Sequence, residues 1–122
     1  MKPILTAIII LISNQLMAQK VELFSVKLNI YQNVRDFCIS QNNQEAFFTI
    51  QSPNQELSQI VSIQKIDKEW SNPQLLTFSD EYNYLEPFLS YDGKRLYFVS
   101  DRPISDSMHI KKDFDIWYVE RN

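Results

Sequence analysis

The chain has 122 residues, with 12 basic and 15 acidic side chains, one cysteine, one histidine and one glycine. That length suits one small domain. The net charge of −3 provides no basic stripe to neutralise phosphates, which argues against a nucleic-acid partner. Cys38 stands alone, so an intramolecular disulfide is excluded.

The first residues are expected to be removed. Met1-Lys2-Pro3 is a short positive start, Ile4 to Ile12 is an apolar run, and Ser13 to Ala18 is a more polar tail ending in a small residue. This is the layout of a secretory signal peptide with cleavage between Ala18 and Gln19. The apolar run is shorter than the roughly 20 residues a membrane span needs. No cysteine follows the cleavage point to carry a lipid. The expected location is the periplasm, the cell envelope or the medium, with no stable membrane insertion after cleavage.

Residues 19–35 read as a lead-in strand and linker, because Val21, Leu23, Val26, Leu28 and Ile30 alternate in part with polar residues. Short β-rich runs follow. Asp36 to Ser40 is the first, and Cys38 within it is expected to serve as a small buried hydrophobe. Gln41-Asn42-Asn43-Gln44 is a turn, because Asn tolerates the left-handed conformation of tight hairpins. Ala46 to Ile50 is the next strand, Gln51 to Leu57 a polar loop around Pro53, and Gln59 to Ile66 another strand. Asp67 to Pro73 reads as a turn carrying Trp70, and Gln74 to Phe78 as the fourth strand. The order then recurs: strand Leu85–Ser90, turn Tyr91–Lys94, strand Arg95–Ser100, loop Asp101–Asp113, strand Phe114–Glu120.

The two halves superpose as a repeat. Ser40 falls on Ser90, Asn42 on Asp92, Asn43 on Gly93, Phe47 on Tyr97, Phe48 on Phe98 and Pro53 on Pro103. After a longer second loop, Ile60 to Lys65 falls on Ile116 to Arg121. Agreement in strands with differences in a loop marks a structural repeat. Leu96 to Val99 and Ile116 to Val119 are apolar without interruption, which predicts sheets covered on both faces.

Pro87, Ser90, Asp92, Gly93, Tyr97, Phe98, Ser100 and Arg102, followed by Asp115, Ile116 and Trp117, resemble the WD40-like β-propeller repeat of TolB-type exported bacterial proteins. Trp70-Ser71-x-Pro73 before Leu75 is similar to the connection that precedes such a repeat. The resemblance implies an all-β partial propeller: a first four-stranded antiparallel blade over 36–84 and a second over 85–122 that lacks its outer strand. Ring closure is then expected to need further blades, from a longer gene product, or self-association. The turn residues have structural work in this pattern. Gly93 supplies positive φ, Ser90 and Asp92 bond turn amides, and Tyr97, Phe98, Trp117 and Tyr118 fill space between sheets.

Chemistry is sparse. His109 has no second His or Cys beside it for a His-based metal site. Asp106, Asp113 and Asp115 lack calcium-loop spacing. Ser90, His109 and Asp92 could be cast as a triad, and Glu86, Asp92 and Asp101 as glycosidase carboxylates, yet each has a simpler place at a turn or strand end. No cofactor, metal or catalytic set is expected. Ser105, Asp106, His109, Lys111 and Lys112 form the loop most suited to binding. The expected function is a non-enzymatic module for an envelope protein or glycan. The alternative is the propeller portion of an exported prolyl-oligopeptidase-like hydrolase whose catalytic domain lies outside this chain.

Overall fold

The computed structural model describes residues 19–76, 78, 81–105, 107 and 113–122. The expected signal peptide and four of the loop residues, Asp106, His109, Lys111 and Lys112, lie outside the described residues. The described chain is all-β and forms two antiparallel sheets arranged as a partial propeller.

The first sheet contains β1 (Asn33–Ile39), β2 (Glu45–Gln51), β3 (Ser58–Ile66), β4 (Glu69–Trp70) and β5 (Gln74–Leu76). Its order is β1-β2-β3, and β4 and β5 both pair with the far side of β3. They form one fourth lane interrupted at Ser71-Asn72-Pro73. Trp70, expected in a turn, is therefore in a short strand. The tight turn before it is Asp67-Lys68, with φ of 49° and 71°, which suits a two-residue hairpin. The second sheet contains β6 (Tyr84–Leu89), β7 (Arg95–Ser100) and β8 (Asp115–Glu120), in that order.

The predicted lead-in strand over Lys20–Ile30 does not form. Val26–Ile30 is a 3-10 turn, opened by the Ser25 hydroxyl, which accepts from the Lys27 amide at 3.3 Å. Its partial alternation is that of a strand, but among the described residues no strand pairs with it. The segment instead lies on the outer face of the first sheet, where Leu28 and Tyr31 pack with Ala46, Phe48, Val61 and Ile63. Phe24 closes against Phe37, Phe48 and Trp70 on the same side.

The opposite face of the first sheet meets the second. Phe47 and Ile60 from the first sheet pack with Tyr84, Leu89, Leu96 and Phe98 from the second, and all six are buried. Each such side chain contributes about 1.5–3 kcal/mol on burial. Cys38 sits half-buried at the rim of this core, and its Sγ accepts from the Leu89 amide at 3.1 Å.

Both faces of the first sheet are covered, whereas the second, as expected for the last sheet of an unclosed repeat, has one apolar face open, so the uninterrupted apolar runs of β7 and β8 do not by themselves report cover. Burial in β7 and β8 alternates: Leu96, Phe98, Trp117 and Val119 face the first sheet, while Tyr97, Val99, Ile116 and Tyr118 face away from it. The roles expected for Phe98 and Trp117 between sheets are met, and those for Tyr97 and Tyr118 are not.

Candidate functional site

The repeat extends to individual atoms at the two hairpin turns. In the first, the Ser40 hydroxyl bonds Asn42 Oδ1 at 2.8 Å and accepts from the Glu45 amide at 3.0 Å. In the second, the Ser90 hydroxyl bonds Asp92 Oδ1 at 2.7 Å and accepts from the Arg95 amide at 2.9 Å. Asn43 and Gly93 donate to the carbonyls of Ser40 and Ser90, each at 2.9 Å, with φ of 57° and 71°. The replacement of Asp-Gly by Asn42-Asn43 thus preserves the geometry. A side-chain oxygen two residues after the serine and a residue tolerant of positive φ are all that the turn requires.

The first strand of each unit also carries a matching bulge. Two residues, Asp36-Phe37 or Glu86-Pro87, stand opposite one on the partner strand, and Asp36 and Glu86 both have φ of 55°. The second bulge is tied to the first sheet, because the Glu86 amide donates to the buried Thr49 hydroxyl at 3.1 Å. Pro87 is buried beside it.

These contacts assign most of the predicted signature residues to structure. Ser90 and Asp92 are occupied within the turn. The Ser90 hydroxyl, and then the Lys94 amide, hold the Asp92 carboxyl below its ordinary pKa. Buried Asp101 accepts from the Asn83 amide at 2.8 Å and from its side-chain nitrogen at 2.9 Å. Asn83 in turn accepts from the Ser58 amide at 2.7 Å, so Asp101 helps to join the sheets. Asp92 precedes β7 and Asp101 follows it, separated by roughly 17 Å of strand. They cannot act together as glycosidase carboxylates. The Ser100 hydroxyl is buried and accepts from the Arg102 amide at 3.2 Å. The Arg102 guanidinium lies over the Trp117 ring, 5.1 Å from its centroid. Asp115 pairs in register with Ser100 on β7. Ser105 is exposed in the loop beyond. Among the described residues, no cluster of three or more His, Cys, Asp or Glu side chains could hold a metal ion.

Two surface features remain. At the turn end, a cleft of about 360 Å³ runs between the hairpins, bordered by Ser40, Asn42, Tyr91 and Asp92. Gln41 spans it, donating to the Tyr91 hydroxyl at 2.5 Å. Below it, the Arg121 guanidinium bonds both Glu45 carboxylate oxygens at 2.7 and 2.6 Å, and also the Gly93 carbonyl at 3.2 Å. The cleft's polar groups largely satisfy one another.

The second feature is the outward face of the second sheet. Phe88 pairs in register with Tyr97, Tyr97 with Tyr118, and Val99 with Ile116. Phe88 is 65% exposed and Ile116 79%. Tyr97 and Tyr118 lie ring to ring at 5.7 Å, and Arg95 sits 4.7 Å above the Tyr118 ring while bonding Glu120 at 3.2 Å. A shallow groove of about 380 Å³ runs among Phe88, Tyr97, Val99 and Ile116, with Glu86 at its border.

The repeat gives this face a meaning. Phe88, Tyr97, Val99, Ile116 and Tyr118 correspond to Cys38, Phe47, Thr49, Ile60 and Ser62 of the first sheet. Phe47, Thr49, Ile60 and Ser62 are buried, and Cys38 is half-buried against the inter-sheet core. Phe88, Ile116 and Tyr118 are exposed, and Tyr97 and Val99 half-buried, at positions that are more buried one unit earlier, on the face turned to the second sheet. Tyr118 was read as filling space between sheets, whereas neither strand alternation nor the turn motifs singled out Phe88 and Val99. The offset between the two units was the signal that could have done so.

Comparison with models of protein families, with curated proteins and with solved structures returns no match.

Proposed function

We propose that this chain is an exported, TolB-like propeller-repeat protein that acts as a non-enzymatic interaction module of the cell envelope, and that it binds through the outward face of its second sheet. One observation carries this reading: Cys38, Phe47 and Ile60, the equivalents of Phe88, Tyr97 and Ile116, pack in the core between the sheets, whereas here Phe88 and Ile116 are exposed and Tyr97 is half-buried. Contiguous exposed apolar surface on a soluble domain marks an interaction site. Aromatic residues rimmed by Arg95, Glu120 and Glu86 suit a protein partner, with apolar anchors inside a polar border. A glycan could stack on the same tyrosines, but the repeat supplies a precedent for a β-sheet in that place.

A photo-cross-linking residue at Ile116 tests the reading in envelope fractions. It is expected to give a discrete adduct that the same probe at Leu57, on the far loop, does not give. Adducts of equal yield at both positions, or recovery of the protein in the cytosol alone, would count against it.

A further inference from the structure

The second sheet is open at an edge as well as on a face. In the first sheet, the far side of β3 is lined by β5, in the register Ile60↔Leu76, Val61↔Leu75 and Ser62↔Gln74. The equivalent positions on β8 are Ile116, Trp117 and Tyr118, and among the described residues β8 pairs only with β7. An unpaired edge of this kind is a template for strand addition.

The chain also carries an N-terminal segment that belongs to no strand. Gln19 to Leu23 precedes the anchor at Phe24, and within it Val21 is 95% exposed and Leu23 65%. Lys20-Val21-Glu22-Leu23 alternates as a strand should. Laid antiparallel along β8 so that Leu23 meets Trp117, the segment places Val21 beside Val119, Glu22 beside Tyr118 and Lys20 beside Glu120. Both aliphatic side chains then lie on the inward face next to half-buried Trp117 and Val119, and Lys20, which pairs with Glu22 within the arm, comes to face the Glu120 carboxylate as well. The register that matches the apolar pattern is the one that also matches the charges.

The arm cannot reach its own β8 without giving up its anchor. Phe24 is packed on Phe37, Phe48 and Trp70, on the face of the first sheet opposite the second sheet. The first sheet stands between them. We infer that the 20–23 arm of one copy adds to the β8 edge of a second copy as its fourth strand, so that the chain self-associates by strand exchange. This uses the edge of the second sheet and not its face, so its failure leaves the face-docking reading standing, and the reverse is also true.

Disulfide trapping tests the register. Facing residues of an antiparallel pair have Cα atoms about 4.5–5.5 Å apart, within the range of about 4.4–6.8 Å that a disulfide accepts. Both single variants are made in a Cys38→Ser background: Glu22→Cys in one and Tyr118→Cys in the other. Mixing them is expected to give a covalent heterodimer under mild oxidation, while Glu22→Cys mixed with Tyr91→Cys gives less than a tenth as much. Val21→Asp with Leu23→Asp, changes confined to exposed residues, is expected to weaken dimerisation at least tenfold in light scattering, with the folded signal unchanged. Three results would overturn the inference: equal trapping at Tyr91→Cys, a Glu22→Cys/Tyr118→Cys double variant that closes only within one chain, or a native chain that stays monomeric at every concentration.

Discussion

The two sheets are built on one pattern but live in different surroundings. The first has the N-terminal segment on one face and the second sheet on the other, and its third strand is lined by β4 and β5. The second shares the hairpin turn and the bulge, yet has one open face and one open edge among the described residues. Turn and bulge geometry is therefore a local property of the repeat, satisfied by its own hydrogen bonds. Burial depends on what the next layer supplies. A sheet can be locally complete and still lack half of its packing.

The largest effect expected from this difference is at Phe47 and Tyr97, the same position in the two units. Phe47 is 1% exposed in the inter-sheet core, with the Arg121 guanidinium 5.3 Å from its ring centroid. Phe47→Ala should cost about 3–5 kcal/mol in denaturant unfolding. Tyr97→Ala loses its tilted ring contact with Tyr118 and some half-buried surface, and should cost about 1 kcal/mol. Equal costs would mean that the outward face of the second sheet is covered in solution, and the contrast would then disappear.

A smaller effect is expected at the turns. Gly93 has φ of 71° and nothing lies within 4 Å of where a Cβ would be, so Gly93→Ala meets no clash and only conformational strain. It should cost about 1 kcal/mol. Asn43 holds the same conformation at φ of 57°, and Asn43→Gly should change stability by only a few tenths of a kcal/mol. Thermal unfolding of both variants measures the difference. A large loss on Asn43→Gly would mean that the Asn43 side chain has work beyond the turn.

How much of this was legible in the sequence follows the same division. The hairpins could be read because Ser-x-Asp-Gly and Ser-x-Asn-Asn carry their turn chemistry within four residues. The bulges could not, since Asp36 and Glu86 hold positive φ without glycine, and only the partner strand makes the extra residue visible. Lys20–Ile30 was misread because alternation reports apolar spacing but not the presence of a pairing strand. The role of Asp101 was hidden because its partner, Asn83, lies 18 residues earlier, across the sheet. The open face could be anticipated only from the strand count, since an unclosed repeat leaves its terminal sheet faces exposed. The run Leu96 to Val99 has the composition of a strand covered on both sides, and composition cannot say whether the cover is present.

The finest test concerns a single atom that differs between the turns. Asp92 Oδ1 accepts from the Ser90 hydroxyl and the Lys94 amide, and Asn42 Oδ1 makes the matching contacts with Ser40 and the Gln44 amide. Only Asp92 titrates. Its folded pKa lies below the ordinary value, chiefly through the Ser90 bond, whereas the unfolded value is about 3.9. The unfolded chain therefore binds the proton more readily than the folded one as pH falls from about 5. The stabilisation from this carboxylate is complete above the unfolded pKa and is lost as pH falls through the lower, folded pKa. Asp92→Asn should thus be less stable than the native chain at pH 7, with the gap closing in acid. Asn42→Asp should bring the same acid sensitivity to the first turn. Both carboxylates are on exposed turns, so the effects are small, and urea midpoints at pH 7 and pH 3 would resolve them. If the Asp92→Asn gap is the same at both pH values, the two turns are energetically alike, and the charge in the second turn adds nothing to the hydrogen bonds that the first makes without it.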